Sequence, residues 1–182
     1  MIESDPRETT EQNIIKDHLK WYALYTRPRY EKKVELQLTE KEIEVYLPLL
    51  TVLRQWSDRK KKVEEPLFRG YVFVHILPEN RILSLKVDGV VKMVGFGGKP
   101  SVIPDNQIES IRILLEGGAS LERSDYLQAG DEVKVMQGQF EGIKGRLIEK
   151  RNQRRFVINI DAIRQSVALE IDPGFLAKIE SN

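Results

Sequence analysis

The chain has 182 residues, 41% of them hydrophobic, enough for one ordinary domain or two small ones with a real core. Its 29 basic and 28 acidic residues leave a net charge of +1, so bulk charge does not carry it onto nucleic acid, and any such contact falls to local basic patches. It has no cysteine, which excludes disulfides, thiolate zinc sites and a cysteine nucleophile and fits a reducing cytoplasm; no apolar run reaches the length of a membrane span.

Residues 1–19 are polar and aperiodic and read as a flexible tail, with a short helix over 12–19; the acidic opening is neither a signal nor a transit peptide. His18 reads as a solvated residue. Residues 20–26 (KWYALYT) are aromatic and β-rich, hence a strand. Pro28 suits the first turn of a helix over 29–41, whose stripe is Tyr30, Val34 and Leu38. Arg27, Arg29, Lys32 and Lys33 crowd its N-terminal end; by themselves they are either a solvated helix face or a basic patch. Residues 44–52 read as one strand interrupted at Pro48. Residues 54–62 (RQWSDRKKK) form a basic tip carrying Trp56, either a hairpin kept soluble by charge or a loop that pairs with phosphates and stacks on bases.

In residues 65–77 Tyr71, Phe73 and His75 alternate with Val72, Val74 and Ile76, so both faces are apolar and the strand is central or covered by helices. His75 reads as a strand-face residue, since no second ligand cluster accompanies it. A short helix through Ile82 and Leu85 and a strand over 90–94 follow. The turn 95–99 (GFGGK) exposes Phe96 and lacks the ending of a P-loop. Pro104 and Asp105 open a helix, with Asp105 as N-cap and Ile108, Ile111 and Leu115 as its buried stripe. Residues 116–126 lack periodicity and read as a linker.

In the stretch 127–147, Val133 and Val135 alternate with Glu132 and Lys134, Gly138 breaks the strand, and Phe140 supplies an aromatic plug. Gly142 and Gly145 stand where a bend needs positive φ or a close backbone approach. Two more alternating runs follow, with Phe156, Ile158 and Ile160, then Val167, Leu169 and Ile171 inward; a last strand spans 175–179. Four or five short strands make a small closed barrel over 127–180.

The spelling Gly-Asp-x-Val-x-Val-x-x-Gly-x-Phe-x-Gly-x-x-Gly from Gly130 to Gly145 resembles the KOW motif. The opening Trp-Tyr, the basic helix, Phe-x-Gly-Tyr-Val-Phe-Val at residues 68–74 and Gly-Val-Val-x-x-Val-Gly-Phe at 89–96 resemble the NusG N-terminal (NGN) domain. Together they cover about residues 20–179 in NusG-family order. The stretch EPLFRGYVFV and the basic loop before it are most similar to the specialised, RfaH-like antiterminators.

The resemblance implies an α+β protein: a flexible tail (1–19), an NGN domain of antiparallel sheet flanked by helices (20–115), a linker (116–126) and a KOW SH3-like β-barrel (127–180), two folded units on a tether. It implies an elongation and antitermination factor that docks on the clamp of the largest RNA polymerase subunit. Phe68, Tyr71, Phe96 and Ile108 would be its anchors. Upstream or non-template DNA would face Arg27, Arg29, Lys32 and Lys33, with Arg59, Lys60 and Lys61 of the basic loop as a second set. Phe140 and Ile163 of the barrel would recruit a small-subunit ribosomal protein or Rho. The expectation is a monomer, in the cytoplasm, with no membrane, cofactor, metal or catalytic residue. A ribosome-associated RNA-binding KOW protein is the alternative; near-neutral charge speaks against it. An enzyme is disfavoured by two widely separated histidines and the lack of a Ser-His-Asp or metal-ligand spacing. In RfaH the C-terminal domain also folds as a helical hairpin. Here period-two alternation and glycines costing a helix about 1 kcal/mol each favour the barrel.

Overall fold

The computed structural model describes residues 18–55, 59–126, 130–150 and 153–179. The expected tail, apart from its last two residues, and Trp56 lie outside them. In chain order the N-terminal module runs β1 (Lys20–Thr26), α1 (Glu31–Thr39), β2 (Glu44–Tyr46), β3 (Leu49–Gln55), β4 (Lys60–Pro66) and β5 (Tyr71–Ile76). A 3-10 turn (Pro78–Asn80), α2 (Arg81–Leu85), β6 (Val90–Met93), β7 (Gly95–Phe96), β8 (Lys99–Pro100) and α3 (Asp105–Glu116) complete it.

The central sheet has the order β2-β5-β1-β6, and β1 pairs antiparallel with β5, placing Trp21 opposite His75 and Ala23 opposite Phe73. Alternation sends Tyr22, Leu24, Val72, Val74 and Ile76 to one face, against Val34 and Leu38 of α1. Trp21, Ala23 and Phe73 go to the other face, against Ile108, Ile111 and Leu114 of α3. This two-sided cover explains why β5 reads apolar throughout. Stacking on Trp21 (4.7 Å between centroids) and a 2.7 Å approach of Nδ1 to Glu44 Oε2 fix His75 on the strand face.

Three local expectations are corrected. The strand expected over 44–52 is two strands in different sheets, β2 in the central one and β3 in a hairpin with β4. Pro48 has no N–H to continue a ladder, and its carbonyl instead accepts the Leu67 N–H at 2.8 Å. Pro104, not Asp105, occupies the N-cap of α3, without a side-chain cap; Asp105 sits in the first turn, where its charge still suits the helix dipole. The stretch expected as a linker ends α3 and then forms strand β9 (Glu122–Asp125).

The C-terminal module adds β10 (Asp131–Val135), β11 (Lys144–Lys150), β12 (Gln153–Ile160), β13 (Gln165–Leu169) and β14 (Leu176–Lys178), with 3-10 turns at Asp161–Ile163 and Pro173–Phe175. Its antiparallel sheet runs β14-β10-β11-β12-β13-β9. The two glycines of the bend have different jobs. Gly142 takes φ +92°, whereas a Cβ on Gly145 would lie 2.6 Å from both the Phe156 ring and the Val157 carbonyl. Phe156, Ile158, Ile160, Val167 and Leu169 point inward together.

The two modules do not hang apart on a tether. One apolar cluster runs from Trp21, Phe68, Ile108 and Leu114 through to Val133, Phe156, Ile160 and Ile163. Polar contacts close the seam. Gln107 Nε2 donates to Asp161 Oδ2 at 2.7 Å, and Arg123 on β9 reaches back to donate to the carbonyls of Leu67 (2.9 Å) and Pro66 (2.7 Å). The physical reason is that the α3 face of the N-terminal sheet is too apolar to leave in water.

Candidate interaction surfaces

The four apolar anchors part company. Phe68 follows β4 and sits edge-on to Phe73 (5.8 Å, 87°), while Ile108 lies on α3; each is only 2% exposed, within the cluster shared with the barrel. Tyr71 is half-buried at the margin, its ring 5.5 Å from Tyr25, and burial pushes its phenol pKa up. Phe96, on the short β7–β8 hairpin, is 91% exposed. The two barrel candidates face the same seam. Ile163 is buried in the shared cluster, on a 3-10 turn beside β1. The Phe140 ring packs so closely on the end of α3 that a Cβ at Gly117 would meet it at 2.6 Å. In this arrangement Phe68 and Ile108 of the polymerase candidates and Phe140 and Ile163 of the barrel candidates share one seam, and Phe96 stays outside it.

An ion cluster guards the seam. The Glu65 carboxylate accepts from Arg54 Nε (2.7 Å) and Arg69 Nη2 (2.8 Å) and lies 3.8 Å from Arg123 Nη2. Its hydrogen bonds to Arg69 and Arg54 hold it below the usual carboxylate range. Arg123 is a residue that sequence reasoning missed; its partners lie more than fifty positions away and leave no local signal.

The basic side chains also divide. Arg27 and Lys33 both pair with Asp88, at 3.5 and 2.8 Å, and both lie over the Tyr30 ring. Lys33 holds Asp88 below the ordinary carboxylate range and is itself pushed up. Lys32 pairs with Glu64 at 3.6 Å. Arg29, at φ +66°, lines a cleft of about 670 Å³ with Lys32, Arg54, Arg69 and Tyr25. Arg59, Lys60 and Lys61 are exposed at the β3–β4 hairpin. The expected patch at the helix end is therefore one partly neutralised by acids that folding brings to it. Glu31, on the polar-looking side of α1, is buried and accepts the Gly70 N–H at 2.7 Å, which fixes the turn leading into β5.

Among the described residues, no group of three or more histidines, aspartates or glutamates is placed to hold a metal ion, and no helix is long and apolar enough to cross a membrane.

An NGN-like sheet-and-helix module followed by an antiparallel KOW-like sheet places the chain among two-module proteins of the NGN–KOW kind. The family model for the transcription termination factor nusG matches residues 19–112, and the chain belongs to the NusG family. It is similar to the transcription termination/antitermination protein NusG of Streptococcus pyogenes serotype M3, 28% identical over 149 residues, 74% of this chain and 82% of the relative. It is also similar to the protein of that name from Lactococcus lactis subsp. lactis, 25% identical over 186 residues, 94% and 99% of the two chains. Among solved structures it is similar to that described as "Domain interaction in Thermotoga maritima NusG", with 27% identity, a TM-score of 0.47, and coverage of 89% of this chain and 98% of that one.

Proposed function

We propose that the protein is an elongation and antitermination factor that suppresses pausing or termination. It grips the clamp of the largest RNA polymerase subunit through Phe68, Tyr71, Phe96 and Ile108. Its basic side chains track upstream or non-template DNA, and its barrel recruits a further partner, a small-subunit ribosomal protein or Rho, through Phe140 and Ile163. The observation that carries this reading is the composition of the seam: side chains of both binding sets sit in one apolar cluster, closed at its edges by solvent-accessible polar contacts. Phe96, outside the barrel's cover, is free to make first contact; parting of the modules then bares Phe68 and Ile108 to the polymerase and Phe140 and Ile163 to the second partner. No bond is made or broken. The factor acts by binding the processive polymerase better than the pausing one, and a difference of about 1–2 kcal/mol changes pause occupancy about 5–30-fold. The exposed cations of the β3–β4 hairpin support contact with DNA phosphates, and with the EPLFRGYVFV stretch they favour a specialised, RfaH-like paralog.

Polymerase co-purification by the full chain tests this. Recovery is expected to fall with Phe96→Ala/Tyr71→Ala and to rise with Arg123→Ala, which loosens the seam. Equal recovery by wild type and the double variant removes the anchor assignment.

A further inference from the structure

Helix α2 is inverted relative to its core. It buries Ser84, whose Oγ donates to the Arg81 carbonyl at 2.8 Å, and turns Ile82, Leu83 and Leu85 outward. Six of the eleven large hydrophobic side chains that are exposed among the described residues fall between positions 82 and 102: those three with Val91, Phe96 and Val102. Of the six, Leu85 and Val91 meet in one groove, and exposed apolar side chains gathered in one place mark a surface made for a partner where scattered ones would not.

Between α2 and the β7–β8 hairpin, along β6 at the end of the central sheet, runs a groove of about 360 Å³. Leu85, Val91 and Met93 supply its apolar lining, and Arg81, Lys92 and Lys99 supply its charge. No carboxylate lines it among the described residues, and none of the described ion pairs uses those three cations. In a chain with almost equal numbers of acids and bases, an aliphatic trough with charge of one sign only is a specific signal.

We propose that this groove binds an acidic amphipathic peptide segment of a partner protein. Aliphatic side chains of the segment lie on Leu85 and Val91, and its carboxylates meet Arg81, Lys92 and Lys99, as in helix-in-groove recognition. A single-stranded nucleic acid fits less well, because the groove lining is aliphatic and contains no ring on which a base could stack; Phe96 of the β7–β8 hairpin is not one of the lining residues. None of the lining residues belongs to the apolar cluster shared with the barrel, so docking does not require the modules to part. The site is therefore separate from the seam, although it shares the β7–β8 hairpin with Phe96, the first contact in the polymerase reading above.

The test uses the full chain, titrated by fluorescence polarisation with a synthetic helical peptide carrying leucines on one face and glutamates on the other. The controls are the same peptide with lysines for glutamates, and a single-stranded DNA oligonucleotide. The acidic peptide is expected to bind, and Arg81→Glu/Lys92→Glu/Lys99→Glu to weaken it by about tenfold or more, three exposed charges being reversed. Leu85→Ser/Val91→Ser is expected to weaken it similarly. All five positions are at the surface or its margin, and an unchanged thermal melt checks that the fold survives. Arg123→Ala is expected to leave peptide affinity unchanged. Equal binding of the lysine peptide, tighter binding of the oligonucleotide at the same residues, or indifference to the groove substitutions would overturn the proposal. Failure of Phe96→Ala/Tyr71→Ala to reduce polymerase recovery would count against the polymerase reading and leave this one standing.

Discussion

Asp88 sets how much of the basic end of α1 is free, since it holds Lys33 at 2.8 Å and Arg27 at 3.5 Å. Asp88→Asn releases both cations, so binding to duplex DNA is expected to tighten and its log–log salt slope to steepen by about one for each further phosphate neutralised. An unchanged slope would place Arg27 and Lys33 away from DNA. Because the Asp88 carboxyl is held below its ordinary range, acidification to about pH 5 does not mimic the substitution. Gly145 is a second residue with a sharp prediction. A methyl group there meets an aromatic ring and a backbone carbonyl at once, so Gly145→Ala is expected to destabilise the barrel by about 1–3 kcal/mol in urea unfolding. Gly142 differs: its side is open and its requirement is the positive φ.

Strand β9 belongs to the barrel by pairing with β13, and to the seam through Arg123. Arg123→Ala removes two hydrogen bonds to backbone carbonyls and one ion-pair partner of Glu65, while β9 keeps its ladder. Docking of the modules is expected to weaken by about 1–2 kcal/mol with each module still folded, visible as faster amide exchange around Phe68 and Ile108. A pH dependence of the N-terminal module follows from Glu65, which Arg69 and Arg54 of the same module hold below the usual carboxylate range. Its contribution is complete above the unfolded carboxylate range and is lost as pH falls through the lower, folded value. The β3–β4 hairpin is expected to hold from about pH 8 to about pH 5 and to loosen only below about pH 4. Loosening near pH 6 would assign the effect to another group.

The whole molecule brings into one apolar seam Phe68 and Ile108 of one proposed binding set and Phe140 and Ile163 of the other. The absence of native cysteine makes this testable, since Gln107→Cys/Asp161→Cys introduces the only thiols in the chain. Bridging them with a short thiol crosslinker is expected to lower polymerase binding, and the unbridged double variant to bind at least as well as wild type. Full binding by the crosslinked protein would mean that the polymerase does not need the covered face. The groove beside β6 should bind its acidic peptide in both forms.

Much of the architecture was legible because it depends on short-range rules. Period-two alternation in residues 71–76 and 156–171, the four-residue spacing of Val34 and Leu38, and the glycine spelling of the KOW bend each reflect what the local backbone will accept. Pro48 announced a break without saying that its two sides join different sheets. What stayed illegible lies between elements: Asp88 meeting Arg27 and Lys33, Arg123 meeting Leu67 and Pro66, the outward turn of α2, and the docking of the barrel over Phe68 and Ile108. The sequence by itself determined the two modules and their order, because hydrophobic periodicity and turn chemistry act within a few residues. Only the tertiary structure decided which faces are free, because burial and charge pairing are set by groups that meet across dozens of positions.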